Sequence, residues 1–221
     1  MIRSLSFVVL ATCISVQLLG QNNSDMDSRK IRFGLFGSPN FGWVKPNIPE
    51  FSKSGLQPRI GFGYGIMMDY KFSESPNYLF STGFNLTTNG GGLVEPWETF
   101  VANSDTTNLQ FLGKNDRTYR LQYINIPLLL KMRTSDVGYM TYFGAIGLDV
   151  GVRTQARVNN DYTWIGQNAL TPSDEEGLDI KNNINLMRLA LNITLGTEYN
   201  LTGNTNMYIG AGFHNGFTNL F

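Results

Sequence analysis

His214 is the single histidine among the 221 residues, and histidine is the side chain best suited to moving protons near neutral pH. Hydrolases pair such a residue with serine or carboxylate groups, but no serine or aspartate stands at a suggestive spacing from His214. It reads as a residue at a strand end. Asp161, Asp174, Glu175, Glu176 and Asp179 could gather a hard cation, which wants several carboxylate oxygens. They lack the regular spacing of a calcium loop and read as a solvated loop. One histidine and one cysteine, Cys13, exclude a zinc site built from those residues. Gly61-x-Gly63-x-Gly65 and Gly90-Gly91-Gly92 are not phosphate loops, since the first lies in a strand pattern and the second opens a polar stretch. Phe41, Trp43, Trp97, Phe100 and Trp164, interleaved with Asn and Asp, read as anchors at an interface, with a sugar or protein contact surface as the alternative. No catalytic residue, cofactor-binding residue, metal ligand or cofactor is assigned.

The elements that hold these residues are strands. Charged residues make up 15% of the chain and aromatics 13%, and 24 glycines are present, a composition that suits strands and turns better than a helical enzyme. Seventeen basic residues balance seventeen acidic ones, which argues against nucleic acid as a partner. In 59–72, Ile60, Phe62, Tyr64, Ile66, Met68, Tyr70 and Phe72 share one face, and Gly61, Gly63, Gly65, Asp69 and Lys71 share the other. In 188–201, Leu189, Leu191, Ile193 and Leu195 alternate with Arg188, Ala190, Asn192 and Glu198. Weaker copies at 31–37, 78–88, 119–132, 139–153 and 206–214 bring the count to seven strands. In 119–132 the apolar phase slips between Tyr123 and Ile126, which predicts a bulge or bend beside Pro127.

The connections alternate too. Segments 73–77, 134–138 and 202–204 are short turns, and 38–58, 89–117 and 154–183 read as long polar loops, as in a meander with short periplasmic turns and long external loops. The 59–72 strand exceeds the roughly 9 to 11 residues a tilted strand needs to cross hydrocarbon. Aromatics sit near the ends of the apolar rows. Arg32, Arg59, Asp69, Lys71, Asp149, Arg153, Arg188 and Glu198 lie on the opposite face, where they suit a polar lumen plugged by ion pairs. Residues 1–21 read as a cleaved signal peptide, with a basic start, an apolar run to Leu19 and cleavage near Gly20 or Gln21; 22–29 form a polar segment and 30–221 one barrel domain.

The segment Tyr123-Ile124-Asn125-Ile126-Pro127-Leu128-Leu129-Leu130-Lys131 resembles the "Y-x-x-I-P-L-L-L-K" strand of the PorT-like outer-membrane β-barrel family common in Bacteroidetes. Residues 144–148 look like that family's next strand, and 212–220 like its late "Y-x-x-G-L-T-N-I" segment. The resemblance implies an eight-stranded integral outer-membrane barrel and carries no catalytic or ligand residues. Some members serve the type IX secretion and gliding machinery. In the family a closing strand follows the late segment, whereas here the sequence stops at Phe221, so either the last strand is missing or one lies elsewhere, with 105–112 the candidate. The expectation is an all-β, antiparallel up-and-down transmembrane barrel of the eight-stranded type in the bacterial outer membrane, in contact with its lipid. It has no evident catalytic site and is a structural or partner-binding envelope component linked to secretion machinery. A narrow porin-like pore and an outer-membrane enzyme are the alternatives.

Overall fold

The computed structural model of the chain describes residues 6–9, 15–16, 30–43, 56–72, 75, 77–102, 108–164, 174–202 and 205–218. They form ten strands: β1 (Ser6–Val9), β2 (Ser15–Val16), β3 (Ile31–Gly42), β4 (Leu56–Lys71), β5 (Tyr78–Ala102), β6 (Asn108–Arg133), β7 (Met140–Trp164), β8 (Glu175–Asp179), β9 (Met187–Thr202) and β10 (Thr205–Gly216). Every pairing is antiparallel, and β3, β4, β5, β6, β7, β9 and β10 follow one another as a seven-strand meander. All seven sequence-predicted strands are therefore present, in the expected order. Period-two alternation produces them because each strand separates two environments, and the short turns permit only antiparallel neighbours. Gly138 supplies the left-handed conformation, φ 67°, that the tight turn between β6 and β7 needs.

The expected faces are also observed. Ile60, Phe62, Tyr64 and Ile66 of β4, Ile124 to Met132 at even positions of β6, and Leu195 of β9 are exposed large apolar side chains, while Asp69, Lys131, Asp149 and Glu198 are buried. Such a surface would be unstable in water, but it is what hydrocarbon solvates. The Gly61 to Gly65 run packs against the next strand: a Cβ on Gly61 would lie 2.0 Å from the Thr88 carbonyl oxygen.

Three expectations need correction. Segments 89–117 and 154–164 are not loops, because β5, β6 and β7 run for 25, 26 and 25 residues. Roughly a dozen residues of each continue past the membrane band, about 40 Å of strand at the usual rise of about 3.4 Å per residue, as a three-stranded wall on one side of the barrel. Backbone pairing on both sides of β6, and on the β6-facing side of β5 and β7, satisfies peptide groups whatever their side-chain polarity, which is why polar composition misled the reading. Segment 105–112 supplies no separate strand, since 108–112 begin β6 and 103–107 lie outside the described residues. Finally, β6 has no bulge at Pro127: its odd positions, Tyr119, Leu121, Tyr123, Asn125, Leu129 and Lys131, all stay buried. The register shift is one strand over in β7, where Tyr123 pairs with Arg153 but Gln122 with Gln155, leaving Thr154 as the extra residue.

Closure follows from parity. In a meander of seven strands the first and last point the same way, so β3 and β10 cannot form an antiparallel pair. β1 lies between them, antiparallel to both: Val8 faces Phe41 of β3 and Phe213 of β10. Below it, β2 pairs with Met207 and Tyr208 of β10.

Candidate functional site

The lumen is organised around Lys131. Its odd position on β6 places it inward at 1% exposure, and burying an ammonium there requires charged partners. Asp69 of β4 and Glu198 of β9 supply them, at 2.7 and 2.6 Å from Nζ. Glu198 also meets Arg133 at 3.1 Å and Arg32 of β3 at 3.8 Å, while Ser81 of β5 donates to Asp69 at 2.5 Å. The ammonium lies 4.8 Å from the ring centre of Phe143 and 4.7 Å from that of Tyr208, and those two rings stack. The network thus spans the barrel interior from β3 through β6 to β9 near the short-turn end. Arg32, Asp69 and Glu198 were expected in such a plug. Lys131 and Arg133 were not, although the parity of β6 places Lys131 on the row opposite Ile124 to Met132.

Toward the other end a second polar belt crosses five strands. Asn85 and Thr87 of β5 accept from Asn125 Nδ2 at 2.8 and 3.1 Å, and Arg188 Nη2 donates to Asn125 Oδ1 at 3.2 Å while its guanidinium lies 4.7 Å from the centre of the Tyr123 ring. Asn192 donates to both oxygens of Asp149, at 3.0 and 3.2 Å, and His214 Nδ1 meets Asp149 Oδ2 at 2.6 Å. The fold therefore brings together a histidine and an aspartate 65 residues apart, a pairing that spacing concealed. It stops short of a nucleophile–base–orienter set. The nearby Thr194 hydroxyl donates to Asn192 Oδ1 at 2.9 Å, so its proton is aimed away from His214. Between the two polar layers lies a chamber of about 130 Å³, lined among others by Phe36, Ser38, Asn40, Met67, Leu129 and Gly212.

Above the membrane band the interior changes character. Leu93 of β5, Tyr119 of β6 and Val158 of β7 pack into a buried apolar cluster that Ile180 covers. The 3-10 turn Lys181–Asn183 is held over this side by Arg153, whose Nη1 donates to the carbonyls of Lys181 and Ile184. The expected solvated acidic loop is instead largely strand: Asp161 lies in β7, and Glu175, Glu176 and Asp179 lie in β8, a short exposed strand pairing with Arg157, Val158 and Asn160 of β7. The carboxylates here accept from neighbours: Asp174, just before β8, from the Tyr162 N–H at 3.2 Å, Glu175 from Asn160 at 3.1 Å, and Asp179 from the Lys181 N–H at 2.9 Å. That last bond holds the Asp179 carboxyl below the usual carboxylate range. Among the described residues no group of three His, Cys, Asp or Glu side chains gathers closely enough to hold a metal ion. Phe41 is exposed on the outer face of β3, whereas the side chains of Trp97, Phe100 and Trp164 lie outside the described residues.

Compared with known proteins, the sequence matches the family model described as outer membrane protein beta-barrel domain over residues 19–221. No curated protein matches it.

Proposed function

Because the chain belongs to the outer membrane protein beta-barrel domain family, and its barrel is accordingly an integral part of the bacterial outer membrane in contact with lipid, we propose that it is a non-conducting, non-enzymatic barrel that presents its wall of β5, β6 and β7 to another envelope protein. The observation that carries this reading is the Lys131 network, which joins side chains of five strands across the lumen through ion pairs and hydrogen bonds. A conducting path needs a continuous aqueous lining. This interior is instead ion-paired at one level and hydrogen-bonded at the next.

The wall supports the partner-binding half of the proposal. Backbone ordered this far beyond the bilayer, with its own apolar cluster, is more than anchoring in lipid requires. The Tyr123 to Lys131 segment favours kinship with the PorT-like branch and hence a partner from secretion machinery. Two measurements test the reading. In planar bilayers the wild-type protein should show no unit conductance and Lys131→Ala should show some; steady wild-type channels would favour the porin-like alternative. Trimming the β5–β6 hairpin back to the Leu93–Arg117 pair should abolish co-purification of a cross-linked envelope protein while the boiling-dependent gel shift persists. Retention of the partner by the trimmed form overturns the wall's role.

A further inference from the structure

At its base the outer face of the wall pairs like charges. Across β6 and β7, Arg120 stands directly opposite Arg157, and higher up Asp116 stands directly opposite Asp161. Opposite charges attract across a sheet and like charges repel, so in plain water an exchange of partners would stabilise the wall. The sequence instead sorts charge by height, with cations next to the membrane and carboxylates farther from it.

The cationic level extends sideways. Gly90 of β5 pairs with Arg120 and so shares its face, and a Cβ at Gly90 would lie 3.5 Å from Arg59 Cδ. The stem of Arg59 therefore lies beside that bare backbone. On the far side, Asp179 of β8 stands opposite Arg157, and Lys181 Nζ meets the Asp179 carboxylate at 3.4 Å. Among the described residues this level thus sets Arg59, Arg120, Arg157 and Lys181 against the carboxylate of Asp179 alone. Arg120 and Arg157 are exposed. With its amide oxygen turned to Arg157, Gln155 accepts from Nη2 at 3.0 Å and from Nε at 3.2 Å. Gln155 lies on the membrane side of Arg157, so this contact leans the guanidinium toward the bilayer.

The apolar rows give the height. Ile124 on β6 and Val152 on β7 are the last exposed large apolar side chains before the wall. Arg120 follows Ile124 by two outward positions, about 14 Å along the strand and about 10 Å in height at a tilt of about 35–45°. The headgroup layer is about 5–7 Å thick on each side of the hydrocarbon, within reach of a long basic side chain leaning down.

We propose that Arg59, Arg120 and Arg157 hold the phosphate of a lipid headgroup in the external leaflet. The wall rises from the end opposite the short turns, which faces the cell exterior in barrels of this kind. Guanidinium groups bind phosphate oxygens in bidentate fashion, and an anion shared by Arg120 and Arg157 replaces their repulsion with two attractions. A lipid fits better than a free anion because the exposed apolar row from Ile124 down to Met132 begins directly below and can take an acyl chain. The site lies below the Leu93–Arg117 pair, so trimming the hairpin leaves it in place, and this proposal stands or falls apart from the wall's protein partner.

The test uses the full chain purified in detergent micelles with its boiling-dependent gel shift intact. Native mass spectrometry counts retained lipids as phosphatidic acid or phosphatidylcholine with the same acyl chains is titrated in. The wild type should retain one phosphatidic acid about tenfold more tightly than phosphatidylcholine, and Arg120→Gln and Arg157→Gln should each weaken that lipid about tenfold. Lys114→Gln, which removes a charge from the same face higher on the wall, should leave binding unchanged. Equal affinity for the two lipids overturns the proposal, as does an equal loss in Lys114→Gln, which would mark general attraction to a basic surface. Excess inorganic phosphate should not displace the lipid; displacement would reveal a site for a free anion and overturn the lipid assignment.

Discussion

β6 and β7 pass side by side from hydrocarbon into water, and they invert their faces by different means. In the membrane band both keep apolar side chains outside: Ile124, Ile126, Leu128 and Leu130 on β6, and Tyr142, Ile146, Leu148 and Val152 on β7. In the wall both turn apolar side chains inward: Tyr119 and Leu121 on β6, Ala156 and Val158 on β7. β6 does this by changing its sequence, since the apolar residues move from odd to even positions while the backbone phase is constant. β7 keeps its apolar residues at even positions throughout and lets the extra residue Thr154 rotate the strand. The pattern of a strand therefore reports where apolar residues stand, and whether they face in or out depends on the solvent at that height.

The sharpest way to break the comparison is to delete Thr154. Upper β7 would then present Arg157 and Asp161 inward and lose the Val158 contact to Leu93 and Tyr119. Amide exchange at 156–162 should rise to the rate of unpaired backbone while the gel shift of the barrel below survives; unchanged protection would show that the bulge does not set the faces. The next largest effect is expected from Lys131→Leu, which leaves Asp69 and Glu198 buried without their shared cation and should cost about 3–5 kcal/mol in urea unfolding from lipid vesicles. Leu128→Arg, on the lipid face, should cost about 2–4 kcal/mol, whereas Arg120→Leu, on the outer face of the wall in water, should shift the unfolding midpoint little.

Smaller effects sharpen the same contrast. Leu121→Ala, at a site with 0% exposure, leaves a cavity that protein must tolerate and should cost about 2–3 kcal/mol, measured by exchange protection of the wall. Leu128→Ala, where acyl chains can fill the space, should cost less. The smallest concerns Asp179, whose carboxyl is depressed by the Lys181 N–H: the ionised side chain supports the 3-10 turn above the ordinary carboxylate range, and that support is lost as pH falls through the lower folded value. Exchange of the Lys181 amide, corrected for its intrinsic pH dependence, should quicken in that window, and a flat corrected profile would refute the contribution.

This contrast also explains what was legible in the sequence. The rows in β4 and β9 were readable because each strand stays in one pair of environments from end to end. The slip in β6 was visible but read as a bulge or bend, because a change in apolar pattern looks the same as a change in backbone phase. The bulge in β7 left no trace, since its apolar row runs on unbroken. The candidate site was half legible: inward charges such as Asp69, Arg188 and Glu198 followed from parity, but the contact of Asp149 with His214 depends on β7, β9 and β10 being neighbours. The wall was hidden because its outer residues are as polar as those of a loop.

Counted around the barrel, β1 holds one position and β3, β4, β5 and β6 the next four, while β10, β9 and β7 lead back to β6 from the other side. In an eight-position ring, β6 at the centre of the wall therefore stands diametrically across from β1. The molecule has a front and a back within the plane of the membrane: its tallest strands rise on one side of the ring, and the short strand β1 joins β3 to β10 on the other.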